Sequence, residues 1–184
     1  STLWDRNNFL RTPQEQFNDI AAGFAPTIDC LVTLLASSVG GFIGSFVLQL
    51  GDRHQDNMMI DYSSQFVNID FGFNFGDTAV VDTGDFPIPF VLWYVLQRNG
   101  LVETFVDACW WALQALSRYS TIFDGIIDWV HSTPSHREKM HRSLDITLGR
   151  DTPMTRERFE ELIYLGKYKK LGKDFVHDWE KIVK

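Results

Sequence analysis

A chain of 184 residues, 45% hydrophobic and 14% aromatic, is long enough for one well-filled core and short for two. That composition excludes disordered, collagen-like and low-complexity chains. The net charge of −7 is unevenly spread. Residues 1–130 hold five Arg, no Lys and fifteen acids, whereas residues 131–184 hold twelve Lys or Arg against nine acids. An acidic front argues against nucleic acid or an anionic membrane surface as a partner, and the basic tail, mixed in sign, reads as a solvated helical face.

The opening Ser1-Thr2-Leu3-Trp4 lacks the apolar run of a signal peptide, and a first residue of Ser suggests a chain cut from something longer. Thr12-Pro13-Gln14-Glu15 predicts a helix start, with Thr as N-cap, Pro at the first position and Glu reaching back. That helix should run to about Ala22. Cys30 to Leu50 is free of charge over twenty-one residues, enough to cross a bilayer, and contains Gly40-x-x-x-Gly44. Its serines, glycines and Gln49 instead predict two buried helices, Ile28–Ser37 and Gly41–Leu50, and no transmembrane segment. Met58–Ile60 and Phe66–Ile69, separated by Asp61-Tyr62-Ser63-Ser64, predict a small hairpin.

Phe71 to Phe90 holds three glycines and two prolines without periodicity, the mark of a functional loop. Helices are expected at Val91–Gln97, Leu101–Tyr119 and Phe123–Val130. Another should be capped by Ser135-x-x-Glu138, and a last one should run over Thr155–Leu165 with Gly166 just past its end. Trp110-Trp111 reads as core. Two cysteines, Cys30 and Cys109, predict reduced thiols and a cytoplasmic location.

The chemistry lies between Gly51 and Gly72. Phosphoryl transfer needs a carboxylate to orient the attacking hydroxyl and oxygen ligands to hold Mg²⁺ across the phosphates. Asp52 and Asn57 are five residues apart, and Asp70 opens Asp70-Phe71-Gly72. That is the kinase spacing of catalytic aspartate, asparagine ligand and metal-binding aspartate, with a hairpin to bring them together.

The order Gly51-Asp52-Arg53-His54, joined to Ile69-Asp70-Phe71-Gly72, resembles the phosphatidylinositol 3-/4-kinase superfamily, which also includes large protein kinases. The resemblance implies a mainly α fold with a small β-hairpin, the protein-kinase-like C-terminal (large) lobe. Residues 1–184 would form that one lobe: catalytic loop 51–57, metal motif 70–72, activation segment 73–90 and helical remainder 91–184. It implies Asp52 as the catalytic-loop aspartate and His54 as a proton-transfer residue or an orienter of the loop. Asn57 and Asp70 would hold Mg²⁺ (or Mn²⁺) and through it ATP, and Arg53 would pair with local acids.

Two departures stand out. Asn68 replaces the usual His, and the first Lys of the chain is Lys139, so the phosphate-contacting Lys of a small lobe is missing. An N-terminal kinase lobe is therefore an expected partner, and the isolated lobe should be inactive.

Asp77, Asp82 and Asp85 make the activation segment acidic, and residues 73–90 contain no Lys or Arg. Phosphorylated inositol headgroups want cations there. This predicts a protein serine/threonine kinase whose substrate presents a basic surface, similar to the actin–fragmin kinase catalytic domain, with actin or an actin complex as the partner. A phosphatidylinositol kinase is the alternative, with Lys167, Lys169, Lys170 and Lys173 meeting the headgroup. A pseudokinase or scaffold comes third, disfavoured by the intact Asp52, Asn57 and Asp70.

Overall fold

The computed structural model describes residues 27–53, 57–61, 63–77, 86–130 and 133–166. The helix expected at 12–22 lies outside them.

The first helix, α1 (Ile28–Val47), is capped by Thr27, whose hydroxyl accepts from the Cys30 N–H. Two helices were expected here, and one unbroken helix forms. Ser37 and Ser45 do not interrupt it because their hydroxyls fold back onto its own carbonyls, Ser37 to Thr33 O and Ser45 to Gly41 O, both at 2.7 Å. By length and composition alone α1 could cross a membrane, but here one of its faces, with Leu34, Phe42, Ile43, Phe46 and Val47, is the centre of the core.

Strands β1 (Met58–Ile60) and β2 (Phe66–Asn68) pair antiparallel, Met58 opposite Asn68 and Ile60 opposite Phe66. Asp61 closes the turn, its Oδ1 accepting from the N–H groups of Ser63 and Gln65. The hairpin lies on α1. Phe66 N–H donates to Ser37 Oγ at 2.8 Å, and Asn68 Nδ2 donates to Gly41 O and Ser45 Oγ. Phe66 stacks on Phe42 with ring centroids 4.9 Å apart.

Gly41 permits this docking. A Cβ there would sit 2.8 Å from the Phe66 ring, whereas one at Gly40 would meet nothing within 4 Å. Gly40→Ala should therefore stabilise the fold by up to about 1 kcal/mol through helix propensity. Gly41→Ala should destabilise it, because overpacking a buried ring costs about 1–3 kcal/mol. Chemical denaturation of the two variants checks the opposite signs.

The rest is helical: α2 (Phe90–Arg98), α3 (Val102–Arg118), α4 (Ser120–Trp129), α5 (Pro134–Thr147) and α6 (156–166). The expected cap of α5 is displaced. Thr133, not Ser135, accepts from the His136 N–H, and Pro134 takes the first helical position. Phe105, Val106, Cys109 and Leu113 of α3 face α1, with Phe105 edge-on to Phe42.

Phe86 joins the two ends of the core, stacked on Phe46 and edge-on to Phe159 of α6. Gly166 lies against it so closely that a Cβ would stand 2.0 Å from Phe86 O, so close approach rather than a turn demands glycine there. Of the tryptophan pair, Trp110 packs on Phe159, while Trp111 is exposed. Arg150 binds Asp124 and Asp145, tying the end of α5 to α4 and holding the Asp124 carboxyl below its usual range, with help from His141.

Candidate active site

The backbone leaves α1 through Gln49 and turns back so that Gly51 N–H donates to Phe73 O at 3.0 Å. The loop that carries Asp52 is thereby stitched to the segment that follows Asp70-Phe71-Gly72. The hairpin makes the second stitch, with Ile69 N–H donating to Asn57 O at 3.0 Å and so extending the strand pairing by one step. Asn57 and the Asp70 peptide are brought side by side although thirteen residues separate them in the chain.

Arg53 makes the third stitch and is 1% exposed. Its Nε donates to Gly51 O at 2.9 Å, its Nη1 to Ile69 O at 2.8 Å, and its Nη2 to Asp70 O. A guanidinium can fill three carbonyls at fixed angles, which no ammonium could do. Its outer face covers the Phe71 ring at 5.7 Å. Sequence reasoning anticipated a structural arginine, but the carbonyl clamp leaves no mark in side-chain composition.

Asn57 is buried, and its Nδ2 donates to Asp52 O at 2.9 Å. The amide is thus oriented, with its nitrogen committed to the catalytic loop and its Oδ1 left as an oxygen donor. Asp70 is exposed, and its Oδ1 accepts from Gly72 N–H at 3.3 Å. Asp52 is half-buried. Asp52 and Asp70 both adopt positive φ, 55° and 58°. Of the five non-glycine residues with positive φ among those described, Gln49, Asp52, Asp70 and Phe75 surround this junction. Strain of that kind persists where surrounding bonds over-determine the backbone, and here the three stitches do so.

Asp77, exposed, forms an ion pair with Lys139 of α5. His54, Asp82, Asp85 and the four lysines from Lys167 to Lys173 lie outside the described residues.

A family profile described as phosphatidylinositol 3- and 4-kinase matches residues 35–133, just over half of the chain. The chain belongs to the phosphatidylinositol 3- and 4-kinase family. The nodule and root isoforms of phosphatidylinositol 3-kinase from Glycine max are each 35% identical over 90 residues, covering 49% of this chain and 11% of theirs. Phosphatidylinositol 3-kinase VPS34 of Arabidopsis thaliana is 34% identical over 74 residues, 40% of this chain and 9% of that one. The chain spans about a tenth of the length of these curated relatives.

Family membership fixes the architecture as a kinase-like large lobe, mainly helical with one two-stranded hairpin. The family is one of kinases, whose members use a nucleotide and a divalent metal. The expected protein serine/threonine kinase, with actin as substrate, is overturned by these relatives, all named as lipid kinases. The error was physical. Acidity in the activation segment argues against a headgroup bearing extra phosphates, and it was extended to every lipid.

Proposed function

We propose that this chain is the large lobe of a phosphatidylinositol kinase that transfers the γ-phosphoryl group of ATP to an inositol hydroxyl of phosphatidylinositol itself. The observation that carries the reading is the three-way stitch of Gly51, Arg53 and Asn57 to Ile69, Asp70 and Phe73, in a chain whose relatives are phosphatidylinositol 3-kinases. The acidic segment 73–90 narrows the lipid. A headgroup without phosphomonoesters asks for no cation beside the inositol ring, and the segment offers none of its own.

Asp52 orients the acceptor hydroxyl and accepts its proton as the oxygen attacks phosphorus. Its positive-φ backbone, held through the Asn57 amide, fixes where the carboxylate stands. Asn57 Oδ1 and an Asp70 carboxylate oxygen are two hard donors, which suits Mg²⁺ sharing its coordination with nucleotide phosphates. That ion, once bound, neutralises charge on the transferring group. Arg53 keeps the two donors in register by fixing both peptide segments at once. Residues 1–184 act as the large lobe, and a small lobe supplied from elsewhere in a longer polypeptide covers the nucleotide.

The test is to incubate the complete kinase with ATP, Mg²⁺ and vesicles of phosphatidylinositol, then resolve the products. Phosphatidylinositol phosphorylated at the 3-position is expected, with phosphatidylinositol bisphosphates a poor substrate. A bisphosphate turned over as well as phosphatidylinositol would overturn the reading of the acidic segment. No lipid product at all would overturn the function.

A further inference from the structure

Helix α5 presents three side chains at i, i+4 and i+8 to the root of the activation segment. Thr147 Oγ1 donates to Val47 O at 3.1 Å, and Ser143 Oγ donates to Gln49 Oε1 at 2.8 Å. Both residues are buried. The backbone they support accepts in turn from the segment itself, Phe75 N–H donating to Leu48 O and Gly76 N–H to Gln49 O. The helix is therefore fastened in place by its last two turns.

The third side chain, Lys139, reaches beyond the buried contacts to the Asp77 carboxylate. Here burial ends: the side chains are 40% and 52% exposed. A pair so wet holds by no more than about fivefold over its separated ions. Because residues 73–90 hold no Lys or Arg, Lys139 is, among the described residues, the ammonium that touches the segment after Phe73. Arg142, one turn further along α5, is exposed as well.

We infer that Lys139 is a contact for a phospholipid phosphodiester at the rim of the substrate site, and that Asp77 is its placeholder. The inference rests on the lipid-kinase reading above. Away from a bilayer the carboxylate occupies the ammonium. At the bilayer one oxyanion replaces the other on the ammonium, the Asp77 carboxylate is left to water, and α5 need not move. A leaflet attracts Lys139 and repels Asp77, by about fivefold for each charge near the surface. The surface itself therefore opens the pair. On this account the activation segment recruits its cation from another helix instead of carrying one.

The experiment compares four forms of the complete kinase: wild type, Asp77→Asn, Lys139→Gln and the double variant. Each is tested on vesicles of phosphatidylinositol in phosphatidylcholine, with and without phosphatidylserine, by co-sedimentation and by kinetics. Asp77→Asn should tighten vesicle binding and lower KM for the lipid by about three- to fivefold, and Lys139→Gln should do the reverse. The change should fall in KM rather than kcat. With Lys139 already replaced, Asp77→Asn should gain clearly less, only the relief of its own repulsion by the leaflet.

A persistent effect without phosphatidylserine assigns the phosphodiester to the substrate lipid, and an effect confined to phosphatidylserine vesicles assigns it to a neighbouring lipid. Either supports the inference. If both single variants weaken binding, the pair is merely a brace and the inference is wrong. It is equally wrong if Asp77→Asn tightens binding as much in the Lys139→Gln background. Should the wild type make no lipid product, the function falls, while sedimentation still reads the pair.

Discussion

Asp70→Asn in the complete kinase is expected to lower kcat by about 10²–10³-fold or more, the scale of losing one group that stabilises developing charge. Asparagine keeps an oxygen donor at nearly the same place but removes the negative charge that draws in the cation. The loss should come without loss of fold, because the Asp70 side chain is exposed and its carboxylate is bonded to the Gly72 N–H of its own loop. Single-turnover rates at saturating Mg²⁺, measured beside the melting temperature, check both halves. Near wild-type turnover at high Mg²⁺ would remove Asp70 from the metal site.

Arg53→Met should have the opposite character, an effect on structure first and on rate as its consequence. The substitution roughly preserves side-chain volume while withdrawing the donors from Gly51 O, Ile69 O and Asp70 O. Buried carbonyls left without partners cost about 1–3 kcal/mol each, so a local loss of about 3–5 kcal/mol is expected after relaxation. Hydrogen exchange reads it directly. The Gly51 and Ile69 amides, which bond to Phe73 O and Asn57 O, should lose protection while the interior of α3 keeps its own. Arg53→Lys should recover only part, since an ammonium cannot copy the planar fork. Unchanged protection at Gly51 and Ile69 in Arg53→Met would show that the clamp holds nothing.

The meeting of Asn57 with the Asp70 segment was legible because two short apolar runs before Asp70 read as a hairpin that joins them. The helices after Pro89 were legible from their periodicity, to within a few residues at their ends. Other features were hidden for identifiable reasons. Gly40-Gly41 looked like a break because glycine weakens helices, yet Gly41 serves the approach of Phe66, a neighbour twenty-five residues away that local reading does not see. Thr133-Pro134 carried the same start signal as Thr12-Pro13 and was passed over for Ser135. The carbonyls that Arg53 clamps are backbone atoms and have no residue type to betray them. The stripe Lys139, Ser143 and Thr147 has regular helical spacing, but only the fold reveals what it faces. Substrate class was misjudged because charge counting distinguishes headgroups by their phosphates, not lipids from proteins.

The continuity of α1 has a mechanical consequence. Twenty helical residues make an unbroken strut about 30 Å long, with Ser37 and Ser45 bonded back to its own carbonyls. One end carries Ile28 and Val32, 73% and 58% exposed. The other runs into Gln49 and the loop that holds Asp52. A shift of the exposed end would therefore move the loop that holds Asp52 and the hairpin that rides on Ser37, Gly41 and Ser45 with it. Contact made on that exposed end would be felt at the loop that holds Asp52.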